Sequence, residues 1–113
     1  RPFYQEKSKL ALQAAREAFG DEVEWYTHRS EGALFLWFWF PGLPISSKEL
    51  YRRLKQRGVL VVPGEYFFFG HDEHDSHRDE CIRVSYAMDE AIVRDGLRII
   101  AEEVKACLSL PIG

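Results

Sequence analysis

Ala33-Leu34-Phe35-Leu36-Trp37-Phe38-Trp39-Phe40 is the longest apolar run of the chain, and it ends at Pro41-Gly42. Its length and its bulky aromatic content read as a β-strand closed by a turn. Strand side chains alternate, so Leu34, Leu36, Phe38 and Phe40 share one face while Phe35, Trp37 and Trp39 share the other. Both faces are large and apolar. One layer of helices covers one face of a sheet, so the second face calls for a further partner or leaves an exposed apolar patch. At eight residues the run is far short of the roughly 20 needed to cross a bilayer.

Around it the pattern runs helix, strand, strand, helix, strand, loop, strand, helix. Tyr4 to Phe19 is rich in helix formers, with Leu10, Ala14 and Ala18 at helical spacing and Gly20 as a stop. Glu24 to His28 is a short strand. Ser46 and Glu49 have the spacing of a capping box, opening a helix with Leu50, Tyr51 and Leu54 on one side and Gly58 at its end. Val59-Leu60-Val61-Val62 reads as a buried strand before Pro63-Gly64, and residues 65–79 as an irregular loop. A last helix over about Asp89 to Leu108 carries the stripe Val93, Gly96, Leu97, Ile100, Val104, Cys107 and Leu108. The expected fold is a single α+β domain, a small and mostly antiparallel sheet of three to four strands with helices on one face.

Glu80-Cys81-Ile82-Arg83-Val84-Ser85-Tyr86-Ala87 is the strand with chemistry in it. Ile82, Val84 and Tyr86 form one face, of core type; Cys81, Arg83 and Ser85 form the other. A guanidinium is always charged, and its planar fork matches a carboxylate with two parallel hydrogen bonds. Arg83 reads either as a residue on a solvated sheet face or as a carboxylate receptor in a polar pocket wall.

Other constellations weigh less. The formal charge of -3 opposes a nucleic-acid footprint, which needs a clustered basic surface; Arg52, Arg53, Lys55 and Arg57 read as a solvated helix face. His71, His74 and His77, with carboxylates between them, are ligand types for Zn²⁺ or Ni²⁺, but nothing orders them and a surface loop is the simpler account. A Cys81–His77 nucleophile pair lacks an orienting group. No glycine-rich phosphate motif occurs. The five lysines, Lys7, Lys9, Lys48, Lys55 and Lys105, fall on helices without the desolvated setting that activates an amine. Two cysteines make no disulfide framework and no segment has signal-peptide character, so a cytoplasmic setting without a membrane is expected. A chain opening at Arg1 without an initiator Met is expected to be a processed or excised piece.

Taken in order, Glu31-Gly32-Ala33-Leu34-Phe35-Leu36-Trp37, Leu43-Pro44-Ile45, Glu49-Leu50-Tyr51, Leu54 through Gly64, and Cys81-Ile82-Arg83-Val84-Ser85-Tyr86 resemble the C-terminal small domain of class I/II, fold-type I pyridoxal-phosphate aminotransferases. The resemblance covers nearly the whole chain and is greatest to the members that exchange an amino group between valine and pyruvate. It implies that residues 1–113 are the small domain, and that Arg83, at the family's last-strand arginine, grips the substrate α-carboxylate. The cofactor-bonding lysine, the aspartate facing the pyridine nitrogen and the phosphate-binding residues are implied to lie in a large domain of the same parent chain. Amino acids and 2-oxo acids are the implied substrates, the full-length enzyme is implied to be a homodimer, and this chain alone is expected to be inactive. A non-catalytic amino-acid-binding regulatory α+β module is the alternative, since an arginine there could also hold a carboxylate.

Overall fold

The computed structural model describes residues 2–29, 34–64 and 79–109. The described elements are α1 (Pro2–Phe19), β1 (Tyr26–Arg29), β2 (Phe35–Trp39), α2 (Ser47–Gln56), β3 (Val62–Pro63), β4 (Cys81–Ser85) and α3 (Glu90–Ser109). The strands form one antiparallel sheet in the order β1-β2-β4-β3. This is the expected α+β fold, with four strands. The segments 30–33 and 65–78, including all three loop histidines, lie outside the described residues.

The core lies between one face of the sheet and the helices. Leu36, Phe38 and Phe40 from β2 and its end, with Ile82, Val84 and Tyr86 from β4 and its end, are all buried, as the alternation required. They meet Leu50 and Leu54 of α2 and Val93, Leu97, Ile100, Ala101 and Val104 of α3. The buried stripe of α1 is Ala11, Ala14, Ala15 and Phe19, small residues for the most part, which let α1 lie close along α3. Leu10 and Ala18 flank that stripe, half-buried. Phe19 closes the core at its end, its ring 5.2 Å from Trp25, 5.5 Å from Phe38 and 5.3 Å from Phe40, distances at which aromatic pairs attract beyond their burial.

Three expectations need correction. Val59 to Val61 is not a strand, because only Val62 and Pro63 reach β4, pairing with Arg83 and Ile82. Proline has no N–H to donate, so β3 is a two-residue edge, and Leu60 points outward at 69% exposure. Leu108 is 40% exposed at the last turn of α3 rather than part of its stripe. The third concerns the cluster Arg52, Arg53, Lys55 and Arg57, which is not merely a solvated face: Arg53 donates to Cys107 Sγ (3.3 Å) and Arg57 pairs with Glu102 (2.7 Å) and Glu103 (3.0 Å), tying α2 to α3.

Turns and caps set where β2 ends and α2 begins. Leu43 N–H donates to Phe40 O (3.2 Å) across Pro41-Gly42, and Gly42 takes φ +77°, open to glycine without steric cost. Ser46 caps α2 by accepting from Glu49 N–H at 3.0 Å. The capping box is only half made, because Glu49 turns its carboxylate forward onto Arg52 (2.6 Å) and Arg53 (2.8 Å). Those two guanidiniums hold the Glu49 carboxyl well below the ordinary range, down to about 2. A carboxyl whose pKa is lowered on folding stabilises the fold above its unfolded value and stops doing so as pH falls through the folded one. Between an unfolded value of about 4.3 and a folded one of about 2, acid should therefore erode this contribution. Thermal melts over this window should show a decline that is shallower in Glu49→Gln, while the two proteins converge below that folded value.

Candidate functional site

Pairing registers lay out the open face of the sheet, opposite the helices. Val62, Arg83, Trp37 and His28 make one row across all four strands. Cys81, Trp39 and Tyr26 make the row on one side of it, and Ser85 with Phe35 the row on the other. Phe35, Trp37 and Trp39 are each half-buried, so this chain's described residues cover that face only in part. Arg83, also half-buried, stands in the middle of it.

Arg83 lies against an aromatic ring. Its guanidinium carbon lies over the Phe35 ring, 4.3 Å from its centre, a cation–π contact. Phe35 reaches it because the two residues are diagonal neighbours across β2 and β4, Phe35 itself pairing with Ser85. Beyond Trp37, a pocket of about 400 Å³ is lined by Tyr26, His28, Trp37, Trp39 and Cys81. Tyr26 and Trp39 form its rim, their rings 5.1 Å apart.

Glu80, just before β4, holds this edge together. Its carboxylate accepts from Trp39 Nε1 (2.9 Å) and from Gly42 N–H (3.2 Å), and its carbonyl accepts from Phe40 N–H (2.9 Å). The carboxylate thus orients the indole of Trp39 and anchors the Pro41-Gly42 turn at the same time. At the other end of the strand pair, Tyr86 N–H donates to Leu34 O (2.9 Å).

Of the residues singled out in the sequence, Arg83, Phe35, Trp37, Trp39, Cys81 and Ser85 are brought to one surface. Cys81 is a buried thiol in its floor and Ser85 is exposed at its margin. Cys107 is remote from it, under Arg53; burial pushes its thiol pKa up. The Cys81–His77 pair and the His71, His74 and His77 cluster lie outside the described residues, and among the described residues no group of three metal-ligating side chains gathers. Four roles escaped the sequence reading. Those of Tyr26 and His28 were legible from the alternation of β1 alone. Phe35 as the partner of Arg83 required the register, and Glu80 required the turn it anchors.

Comparison with known proteins gives this surface a context. No family model matches the chain. It is 41% identical over 105 residues to the valine–pyruvate aminotransferase of Escherichia coli K12, covering 93% of this chain and 25% of that one. Its fold superposes on the crystal structure of valine–pyruvate aminotransferase from Salmonella typhimurium LT2 with a TM-score of 0.89 and 39% identity, over 97% of this chain and 28% of that one. A third relative is the α-aminoadipate aminotransferase of Thermus thermophilus, solved with N-(5'-phosphopyridoxyl)-L-leucine (TM-score 0.74, 28% identity, 96% of this chain and 26% of that one). The chain thus belongs with the fold-type I aminotransferases, as the counterpart of their C-terminal small domain. It spans about a quarter of the length of the curated relatives it matches.

Glu80→Ala should remove the carboxylate that the Trp39 indole N–H and the Gly42 N–H share, costing about 1 kcal/mol. Glu80→Gln, which keeps one amide oxygen, should fall between. Urea unfolding followed by tryptophan fluorescence would measure both, and equal stability of all three proteins would deny Glu80 its anchoring role.

Proposed function

We propose that the chain is the substrate-carboxylate-binding small domain of a pyridoxal-phosphate-dependent aminotransferase that transfers an amino group between valine and pyruvate. The observation that carries the reading is the placement of Arg83: half-buried, in cation–π contact with Phe35, and central on the sheet face that this chain's described helices leave uncovered. A guanidinium in that setting presents a planar fork to a ligand that needs two parallel donors, as an α-carboxylate does. The 41% identity to valine–pyruvate aminotransferase supports the choice of substrates. The apolar surroundings of Trp37 and Trp39 suit an aliphatic side chain.

The described lysines do not fit the role of holding the cofactor. Lys7 donates to Met88 O (2.7 Å), Lys105 pairs with Glu22 (2.6 Å), and Lys9, Lys48 and Lys55 stand exposed on α1 and α2. The cofactor's electron sink is therefore assigned to a large domain of the parent protein, lying over the open face that carries Phe35, Trp37 and Trp39. Within this chain, Arg83 orients the substrate so that its Cα–H bond points toward the reacting centre. The full-length enzyme is proposed to be a homodimer.

In the full-length enzyme, Arg83→Ala should lower kcat/KM for valine on the order of 100-fold or more, because a charged hydrogen-bond partner is lost. Arg83→Lys should fall between, keeping the charge without the fork. Isobutylamine, which is valine without its carboxylate, should react equally poorly with all three enzymes, and cofactor absorbance should be unchanged. An Arg83→Ala enzyme with wild-type kcat/KM for valine would overturn the assignment.

A further inference from the structure

We propose that Phe35 is a positioning residue for Arg83, fixing the plane of its guanidinium so that the fork edge, not the flat face, meets an incoming carboxylate. The inference rests on the carboxylate-binding reading above. A guanidinium has two apolar faces and a rim of N–H donors. An aromatic ring attracts the face through its quadrupole and uses none of the donors. Hydrogen bonding to a carboxylate uses the rim alone. The two interactions use different parts of the group, so the 4.3 Å cation–π contact with Phe35 restrains the side chain without drawing on its donors.

The ring is itself well placed to act as a fixed plate. Phe35 pairs with Ser85, and the strand end beside it is pinned where Tyr86 N–H meets Leu34 O at 2.9 Å. Its ring is on the open face and takes no part in the buried core, which draws on Leu36, Phe38 and Phe40 of the same strand and its end. Along the strand, then, Arg83 is bounded by Phe35; across the sheet its neighbours are Trp37 and Val62. A long flexible side chain held in this way loses fewer orientations on binding, and binding strengthens accordingly.

Restraint of this kind acts equally on bound substrate and on the transition state, so its loss should appear in KM and leave kcat nearly unchanged. In the full-length enzyme, Phe35→Leu should raise the KM for valine about fivefold, the order expected for loss of one partly exposed cation–π contact, with kcat within about twofold. Phe35→Tyr keeps a ring and should restore the wild-type KM. Isobutylamine should not distinguish the variants. In the 113-residue chain, the Arg83 Nε–H proton resonance should sit upfield in wild type and in Phe35→Tyr, through the ring current, and move downfield in Phe35→Leu. Unchanged KM in Phe35→Leu, alongside a large loss in Arg83→Ala, would overturn the positioning role while leaving the carboxylate-binding reading standing. Equal kinetic damage in Phe35→Leu and Phe35→Tyr, with lowered melting temperatures in both, would overturn it in favour of a purely structural ring. An Arg83→Ala enzyme without a defect would remove both inferences together.

Discussion

A strand residue has two faces to choose from, and the antiparallel register between Phe35–Trp39 and Cys81–Ser85 settles that choice for the centre of this molecule at once. Leu36, Phe38, Ile82 and Val84 go to the helices; Phe35, Trp37, Cys81, Arg83 and Ser85 go to the opposite side. A slip of one residue would turn Arg83 into a core otherwise made of leucine, isoleucine, valine and phenylalanine. Burying an unpaired charge there is far more costly than any local gain could offset. The pairing is thus specified by its own worst alternative, and every feature of the open face inherits its position from that pairing.

The open face combines two demands that normally conflict. Aromatic residues want to leave water, while a guanidinium wants to stay in it. The contact of Arg83 with Phe35 reconciles them, because a guanidinium is weakly hydrated and can lie 4.3 Å from a ring centre without giving up its N–H donors to it. A lysine at 83 could not do this; its ammonium is a compact, strongly hydrated point charge. Glu80 performs a related service at the other end, where its carboxylate takes the indole N–H of Trp39 and so leaves that large ring with its polar atom satisfied.

The alternation of β2 and β4 made the two faces legible in the sequence, and with them the fold class, the core and the prominence of Arg83. Local signals also placed α2, whose cap at Ser46 forms as expected. What the sequence could not show were outcomes of competition between tertiary partners. Val59 to Val61 have strand-forming side chains, but a strand exists only where a neighbour accepts it, and β4 is met only by Val62 and Pro63. Glu49 had a choice between the Ser46 N–H and two arginines, and the charged partners prevailed. In the sequence Phe35 is one more apolar residue, because its diagonal relation to Arg83 joins strands separated by a helix and a long connection. The participation of Tyr26 and His28, by contrast, follows from simple alternation in β1.

In the proposed enzyme the half-covered state of the open face gains a mechanistic sense. A charge pair strengthens as water leaves, since the attraction between guanidinium and carboxylate rises as the local dielectric falls. A face already apolar around Arg83 needs only a covering domain and a substrate to become dry. In that proposal the rings of Phe35, Trp37 and Trp39, half-buried in this chain, would complete their burial under the covering domain. Such burial would offset the cost of desolvating Arg83, with the substrate carboxylate as its proposed counter-charge. In this proposal, selection of molecules bearing an α-carboxylate would follow from the two parallel hydrogen bonds that a guanidinium fork offers such a group.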